Sequence, residues 1–247
     1  MKIKNNIPNF ITLLNLFCGC LAIVAAFKTD LVIASFLVFA GAVFDYLDGT
    51  AARLLKAKSE IGKELDSLAD VVTFGVVPSI IAFQLLNASA ITYSLFTDYT
   101  FLLYIPFLIA LLSAVRLAKF NLDTRQTISF LGLPTPANAI FWASAPIIIY
   151  YQESINVEAF QSLHVFIANL FQNPYFILSF TIITSVLLIV ELPLFSLKFT
   201  DLKWRNNKIR IIFLITSLLL LLFFNVVALP IIIIMYIIFS IIHHYFL

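Results

Sequence analysis

Charged side chains are scarce in this sequence, and the scarcity excludes an ordinary soluble domain. Only 11% of the 247 residues are Asp, Glu, Lys or Arg, compared with about 25% in typical soluble proteins. Hydrophobic residues make up 62%, and the mean hydropathy is +1.05. The apolar runs recur at the length of roughly 20 residues that a helix needs to cross a bilayer. We therefore predict an all-α, polytopic membrane protein.

Cysteine and histidine are also scarce, with two and three residues. Cys18 and Cys20 are two apart inside the first apolar run, so on a helix they face different directions and predict no disulfide. Both are expected to be buried apolar side chains. His164 is expected in an interfacial loop, and His243 and His244 at the end of the last helix. Neither residue type offers the spacing of a metal site.

The apolar runs predict about eight transmembrane helices. They lie near residues 8–27, 31–52, 67–87, 100–118, 132–151, 175–197, 209–224 and 227–246. The first run lacks a convincing small-x-small cleavage site, so we expect a retained helix rather than a signal peptide. The segment 153–173 is expected to be a long loop on the outer side.

The basic residues predict the orientation of these helices. Fourteen of the fifteen Lys and Arg residues fall on one side of the membrane, and Lys28 alone falls on the other. The positive-inside rule places that basic side in the cytoplasm. We therefore expect a multi-pass protein of the cell membrane with both termini and the segment 45–70 on the cytoplasmic side.

The segment 45–70 interrupts the apolar pattern with six acidic and four basic residues. Asp45 and Asp48 are three apart and Asp66 and Asp70 are four apart, so each pair shares one face of a helix. Two antiparallel helices joined by a short turn would bring the four carboxylates together. Divalent cations such as Mg²⁺ or Mn²⁺ relieve the repulsion among them, because hard ions prefer oxygen ligands. Two ions about 3.5–4 Å apart suit in-line displacement at a pyrophosphate.

Small and basic residues surround these carboxylates. Gly49 and Ala52 leave room for a nucleotide or lipid phosphate to approach a helix, although small residues also serve close helix packing. Arg53 can contact phosphate in a bidentate manner. Ser59 can donate a hydrogen bond to phosphate or serve as a turn residue. The lysines of the turn are interpreted as a solvated cytoplasmic loop: Lys56, Lys58 and Lys63.

The pattern Asp45-x2-Asp48-Gly49-x2-Ala52-Arg53-x8-Gly62-x3-Asp66-x3-Asp70 resembles the signature of the CDP-alcohol phosphotransferases at all eight fixed positions. Members of that family transfer a phosphatidyl-type group from a CDP-linked donor to an alcohol and release CMP. The resemblance implies that the four aspartates ligate two divalent cations and that Asp70 is also the general base. It also implies that Gly49, Arg53 and Ser59 contact the CDP donor.

Three further stretches resemble the membrane-integral phosphatidylserine synthase branch of this family. They are NFITLLNLFCG at 9–19, RLAKFN at 116–121 and GLPTPANA at 132–139. This resemblance implies CDP-diacylglycerol as the donor and L-serine as the acceptor, and a homodimer is a family-level expectation. It covers roughly residues 8–197. We therefore divide the chain into a membrane core at 1–197 and, at 198–247, a basic cytoplasmic loop with two extra helices.

Candidate contacts to the two substrates lie outside the acidic segment. Arg116 can bind the serine carboxylate, with Lys119 and Asn121 beyond it, or it can be a residue that snorkels to the cytoplasmic surface. Thr12 and Asn15, three apart on the first helix, can reach the cytidine or ribose of the donor or bond to neighbouring helices.

Several alternatives stay open at this point. The same chemistry can use glycerol phosphate, inositol phosphate or choline as the acceptor, or an archaeal-type donor lipid. An ion-binding transporter is a more distant alternative, because its carboxylates usually lie near the membrane midplane, often in paired repeats. A structural scaffold gives no reason for carboxylates at these spacings. No nucleic-acid partner is expected.

Overall fold

The structure is a computed structural model that describes residues 6–57, 59–93, 100–122, 130–152, 158–195 and 204–246. Several basic residues used in the prediction of orientation lie outside these ranges. They are Lys2, Lys4, Lys58, Arg125, Lys198 and Lys203.

The described residues are almost entirely helical, which confirms the predicted all-α class. The helices are α1 (Asn6–Phe27), α2 (Leu31–Leu54), α3 (Glu60–Asp70), α4 (Val77–Tyr93), α5 (Leu108–Leu122), α6 (Thr135–Tyr150), α7 (Glu158–Phe171), α8 (Pro174–Ile189), α9 (Trp204–Phe224) and α10 (Ala228–Phe246). A π-helical segment, Val71–Val76, joins α3 to α4. Two 3₁₀ segments, Thr100–Phe107 and Asn225–Val227, precede α5 and α10. The strands β1 (Phe130–Leu131) and β2 (Pro193–Leu194) form a short antiparallel pair.

Polar caps begin several of these helices. The Asp30 carboxylate accepts a hydrogen bond from the Ile33 amide at 3.0 Å at the start of α2. At the start of α3 the Ser59 hydroxyl accepts from the Gly62 amide, also at 3.0 Å. Such caps satisfy amide donors that the first helical turn leaves free. The caps fix where α2 and α3, which carry the acidic residues, begin.

Helices long and apolar enough to cross a bilayer confirm a polytopic membrane protein. Five stretches qualify by length and composition in the described part of the chain, and the number rises to six if the bent pair α7–α8 counts as one span. Helix α6 has 16 residues, fewer than the roughly 20 that a span needs. The predicted number of eight spans therefore stays a prediction.

The last qualifying stretch, Asn207–His244, folds back on itself. The Phe213 ring of α9 lies 5.7 Å from the Tyr236 ring and 6.3 Å from the Phe239 ring of α10. Asn225 sits between the two helices with a φ of 49°. The stretch is therefore a hairpin of two antiparallel helices, as the predicted division near Asn225 requires.

The core lies between the first two helices, α1 and α2, and the later helices. Helices α1 and α2 pack along their whole length through small residues such as Ala22, Ala26 and Ala34, which are fully buried. Helix α6 is buried over nearly all of its length and contacts α2, α4 and α10. Its Phe141 ring stacks on Phe180 of α8 at 5.3 Å. This arrangement makes α6 the central helix of the described residues.

The predicted outer loop at 153–173 is wrong for most of its length, because Glu158–Phe171 forms the amphipathic helix α7. Its apolar side chains Leu163, Ile167 and Phe171 recur every four residues and pack on the core. His164 is buried in this helix, and its Nε2 lies 2.7 Å from the Ile148 carbonyl oxygen. His164 is therefore a packed helix residue and not an interfacial loop residue.

The two cysteines lie in different environments. Cys18 is buried, as expected, but Cys20 is exposed. Cys20 belongs to the outward stripe of α1 that also carries the exposed side chains Phe17 and Val24. The expectation that both are buried was wrong for Cys20, because this face of α1 packs against no other described helix.

Candidate active site

Three of the four predicted metal ligands meet at one point. One carboxylate oxygen from each of Asp45, Asp48 and Asp66 lies within 4.8 Å of the other two. Helix α2 supplies the first two side chains and α3 supplies the third, and α1 packs against both helices. Asp48 is buried and the other two are half-buried. This acidic cluster is the centre of the candidate site.

The acidic cluster fits divalent metal ions. A buried oxygen of Asp66, Oδ1, has no hydrogen-bond partner among the described residues. Three carboxylates this close repel one another unless cations or donors compensate them. Carboxylate oxygens are the ligands that Mg²⁺ and Mn²⁺ prefer. The donor set therefore suits a hard divalent cation.

Asp70 lies beside this cluster but outside the group of three. It is the last residue of α3, and only 7% of its surface is exposed. It interacts electrostatically with Asp45 and Asp66. Its Oδ1 accepts a hydrogen bond from the Asn15 amide at 3.1 Å. Asp70 is therefore a buried carboxylate that experiences the negative charge of the acidic cluster.

Thr12 and Asn15, the predicted contacts to the CDP donor, both form hydrogen bonds to carboxylates. The Thr12 hydroxyl lies 2.6 Å from Asp48 Oδ2 and 3.1 Å from the Pro8 carbonyl. Both side chains are buried on the face of α1 that meets α2 and α3. Of the two roles considered for them, bonding to neighbouring helices is the one that the structure shows.

A cleft of about 490 Å³ opens beside the acidic cluster. Residues from α1, α2, α3 and the turn between the last two line it. They are Pro8, Asn9, Thr12, Asp48, Gly49, Ala52, Ala57, Ser59, Glu60, Gly62, Lys63 and Asp66. The predicted donor contacts Thr12, Gly49, Ala52 and Ser59 thus share one cleft with two of the aspartates.

Asn9 and Lys63 are cleft residues that the sequence analysis did not assign to the site. Asn9 lies one helical turn before Thr12, and its Oδ1 is 2.9 Å from where a Cβ on Gly62 would sit. The only available signal for Asn9 was its position in the NFITLLNLFCG stretch. Lys63 was interpreted as a solvated loop residue; it is exposed, as expected, but the loop is wrong. It lies on α3, lines the cleft, and its Nζ donates to the Asn121 carbonyl at 2.6 Å.

Arg53 lies apart from the cleft lining. Its side chain is exposed in the last turn of α2, where its Nη2 donates to the Thr50 hydroxyl at 3.0 Å. A Cβ added to Gly49 would lie 3.7 Å from its Nη1. The predicted phosphate contact of Arg53 stays a prediction.

The three predicted acceptor residues on α5 lie in two different environments. Arg116 is buried with 8% of its surface exposed, and it interacts electrostatically with Asp70 and Tyr236. Its Nε has no hydrogen-bond partner among the described residues. Lys119 is exposed, and the Asn121 amide donates to the Ser67 hydroxyl of α3 at 2.9 Å. Arg116 is thus the acceptor candidate with a described interaction with Asp70.

Comparison with known proteins places the chain in a family. The family of the CDP-alcohol phosphatidyltransferases matches residues 5–172, which include the acidic cluster, the cleft and Arg116. The chain therefore belongs to this family, and the resemblance seen in the sequence is confirmed. Enzymes of the family generally depend on divalent metals, which agrees with the donor set described above.

Curated relatives carry one activity in their names. The chain is 40% identical over 136 residues to the CDP-diacylglycerol–serine O-phosphatidyltransferase of Bacillus subtilis (strain 168), covering 53% of this chain and 70% of the relative. It is 37% identical to the protein of the same name from Helicobacter pylori (strain ATCC 700392 / 26695), covering 54% of each chain. A protein of that name from Saccharomyces cerevisiae is also 37% identical, over 53% of this chain and 50% of the relative. The matched part thus spans between 50% and 70% of the length of these relatives.

Proposed function

We propose that this membrane transferase moves the phosphatidyl group of CDP-diacylglycerol to the hydroxyl of L-serine, giving phosphatidylserine and CMP. The observation that carries the chemistry is the acidic cluster of Asp45, Asp48 and Asp66 beside the buried Asp70. The names of the relatives support the choice of donor and acceptor.

The cleft is the proposed binding site for the CDP part of the donor. Its volume of about 490 Å³ falls within the range of about 300–1,000 Å³ that is typical of small-molecule sites. Gly49 and Ala52 carry little side chain, so a phosphate can approach the backbone of α2. Lys63 and the Ser59 hydroxyl are the nearby donors for phosphate or ribose oxygens. Thr12 lines the same cleft, but its hydroxyl donates to Asp48.

Two divalent cations, Mg²⁺ or Mn²⁺, are the proposed cofactors. Asp45, Asp48, Asp66 and Asp70 are the residues that would hold them. When bound, such ions neutralise the pyrophosphate and stabilise the charge that develops on the leaving CMP. The protein's own part is to hold these carboxylates close together and largely shielded from water, where bound cations would favour their charged form.

Asp70 is the proposed general base. A serine hydroxyl has to lose its proton as its oxygen attacks phosphorus, and a carboxylate at hydrogen-bond distance can take that proton. The new bond joins the serine oxygen to the phosphatidyl phosphorus. The bond that breaks joins this phosphorus to the bridging oxygen of the pyrophosphate, and CMP leaves with that oxygen.

Arg116 is the proposed site for the serine carboxylate. A guanidinium buried in a membrane-spanning helix is costly unless an anion or hydrogen-bond acceptors compensate it. Its neighbour Asp70 places this cation beside the reacting hydroxyl. Choline lacks a carboxylate, and a phosphorylated acceptor would need more cations than this buried position offers. The predicted roles of Lys119 and Asn121 are secondary, because Lys119 is exposed and the Asn121 amide bonds to Ser67.

The active site is proposed to lie at the cytoplasmic side of the cell membrane, because serine and CMP are water-soluble molecules of the cytoplasm. The charge bias of the sequence supports this orientation. The division of the chain at residue 197 and the homodimer are also kept as proposals.

CMP release from the purified protein tests this function. The assay supplies CDP-diacylglycerol, Mn²⁺ or Mg²⁺, and one acceptor per reaction: serine, ethanolamine, glycerol phosphate, inositol phosphate or choline. We expect release with serine only, and no release with EDTA or with Asp70→Asn. Ethanolamine is serine without its carboxylate, so its failure as an acceptor would point to recognition of that group.

The Arg116→Gln variant provides the second arm of this test. We expect kcat/KM for serine to fall about 10–100-fold, since a hydrogen bond to a charged group contributes about 1.5–3 kcal/mol. The KM for CDP-diacylglycerol should change little. Lys28→Gln, an exposed cation at the other end of the helices, is the control. Metal-dependent release with a different alcohol would refute serine as the acceptor, and silence with every acceptor would refute the function.

A further inference from the structure

Contacts made by Asn15 and Thr73 connect Asp70 to α1 and α2, and neither residue has a role in the proposed reaction so far. The π-helical segment Val71–Val76 begins directly after Asp70. The Val77 amide closes it by bonding to the Val72 carbonyl, five residues back. Such a turn accommodates one extra residue and often occurs at functional sites. The segment therefore sets how Asp70 is presented at the end of α3.

Thr73 is the residue of this segment that fits most tightly against other helices. It is fully buried, and its hydroxyl donates to the Asn15 carbonyl of α1 at 3.0 Å. A Cβ on Gly19 would lie 2.5 Å from this hydroxyl oxygen, and one on Gly41 would lie 2.6 Å from the Thr73 methyl carbon. Gly19 thus leaves space for the Thr73 hydroxyl, and Gly41 leaves space for its methyl group. The side chain therefore fits in one rotamer. The side chain is locked between α1 and α2.

Asn15 connects Thr73 to the Asp70 carboxylate. It is fully buried, its backbone carbonyl receives the Thr73 hydroxyl, and its side-chain amide donates to Asp70 Oδ1 at 3.1 Å. The Asn15 Oδ1 atom lies 3.0 Å from where a Cβ on Gly41 would sit. The side chain is therefore hemmed in on the side away from Asp70. One backbone contact fixes Asn15, and Asn15 in turn fixes the rotation of the carboxylate.

We propose that Asn15 and Thr73 are positioning residues that hold the Asp70 carboxylate so that Oδ2 faces the acceptor hydroxyl. This inference rests on the proposed function, in which Asp70 takes the hydroxyl proton. A base that is free to rotate presents its oxygen correctly only part of the time, and small misplacements of catalytic groups can lower rates by about 10²-fold. Asn15 thereby acts through Asp70 rather than by binding the donor.

Substitutions at Thr73 test the proposal. Thr73→Val keeps the branched shape but removes the hydroxyl, and Thr73→Ser keeps the hydroxyl but removes the methyl group. We expect Thr73→Val to lower kcat about tenfold, with the KM values for both substrates within about twofold of wild type. Thr73→Ser should retain kcat within about threefold. Asn15→Ala, which removes the contact to Asp70 itself, should lower kcat about 100-fold, again without a large change in KM.

A matched control separates positioning from general packing. Thr184→Val removes another buried threonine hydroxyl, the one that accepts from Trp142 Nε1 at 3.3 Å between α6 and α8. We expect its kcat to stay within about twofold of wild type. Thermal unfolding with and without Mn²⁺ supplies a readout besides activity. The Mn²⁺-induced shift should persist in Thr73→Val, because Asp45, Asp48 and Asp66 are unchanged.

Four results would overturn the inference. Three are kinetic: a normal kcat in folded Thr73→Val and Asn15→Ala, an equal loss in Thr184→Val, or a raised KM for CDP-diacylglycerol at unchanged kcat. The fourth is loss of the Mn²⁺-induced shift in Thr73→Val, because the network would then hold the whole acidic cluster in place and not only orient Asp70. A wild-type protein without activity toward any acceptor is a different result, which refutes the proposed function and with it the role of Asp70.

Discussion

At the scale of single residues, the acidic cluster is the feature with the most direct experimental consequence. Mn²⁺ should stabilise the wild-type protein in detergent, because a ligand that binds the folded state raises its stability by mass action. The effect is about 2.7 kcal/mol when the ion is at 100 times its Kd. Asp66→Asn should abolish most of this stabilisation, since it removes charge from the oxygen set that lies within 4.8 Å.

Thermal unfolding monitored by intrinsic fluorescence, with increasing Mn²⁺, measures this effect. The control is Glu64→Gln, which removes an exposed carboxylate two residues away on the same helix. If Asp66→Asn and Glu64→Gln respond to Mn²⁺ alike, the acidic cluster is not the metal site.

At the scale of helices, close packing of α1, α2 and the π-helical segment depends on glycine. A Cβ on Gly41 would meet Thr73 at 2.6 Å and Asn15 at 3.0 Å, and neither side chain has space to move. Gly41→Ala should therefore destabilise the fold by about 1–3 kcal/mol, the usual cost of overpacking a core. Reduced thermal stability and reduced kcat are both expected, since the same side chains position Asp70.

Gly49→Ala is the comparison on the same helix. Its Cβ would have an ordinary contact, 3.7 Å from Arg53, so thermal stability should be nearly unchanged. Gly49 lines the cleft, and a methyl group there should raise the KM for CDP-diacylglycerol. Equal destabilisation by the two substitutions would contradict this account of helix packing.

The helices show which features a sequence predicts well. Long apolar runs between polar breaks located α1 and α2 within two residues at each end, because burial in lipid requires an uninterrupted apolar surface. Helix α7 was missed because polar residues interrupt its apolar ones and its 14 residues are too few for a predicted span. Only the spacing of Leu163, Ile167 and Phe171 shows its buried face. The π-helical segment has no local signature. It depends on contacts around Thr73 that exist only after α1 and α2 have packed.

The candidate site was also predictable only in part. The spacing of the aspartates on helices indicates which carboxylates share a face, and Asp45, Asp48 and Asp66 do meet. The contacts of Thr12 and Asn15 depend on how α1 is rotated against its neighbours, which the sequence leaves open. The roles of these residues in binding and catalysis stay predictions.

At the scale of the whole molecule, the orientation in the membrane can be measured directly. In a background with Cys18→Ser and Cys20→Ser, a single cysteine is placed at Lys28 or at Lys56, two exposed positions at opposite ends of α2. A membrane-impermeant maleimide should label Lys28→Cys in intact cells. It should label Lys56→Cys only after the cells are permeabilised, because the positive-inside rule places that turn in the cytoplasm. The reverse pattern would refute the cytoplasmic active site.

The reversal at Asn225 has a consequence for how this architecture can vary. Because α9 and α10 run antiparallel, the chain returns to the level from which α9 starts. If both helices cross the bilayer, the hairpin adds two crossings. The chain then returns to the side of the membrane on which α9 begins, and all earlier segments keep their sides. Such a pair can be gained, lost or exchanged as one unit without inverting the acidic cluster relative to the membrane, whereas a single added helix would redirect the end of the chain.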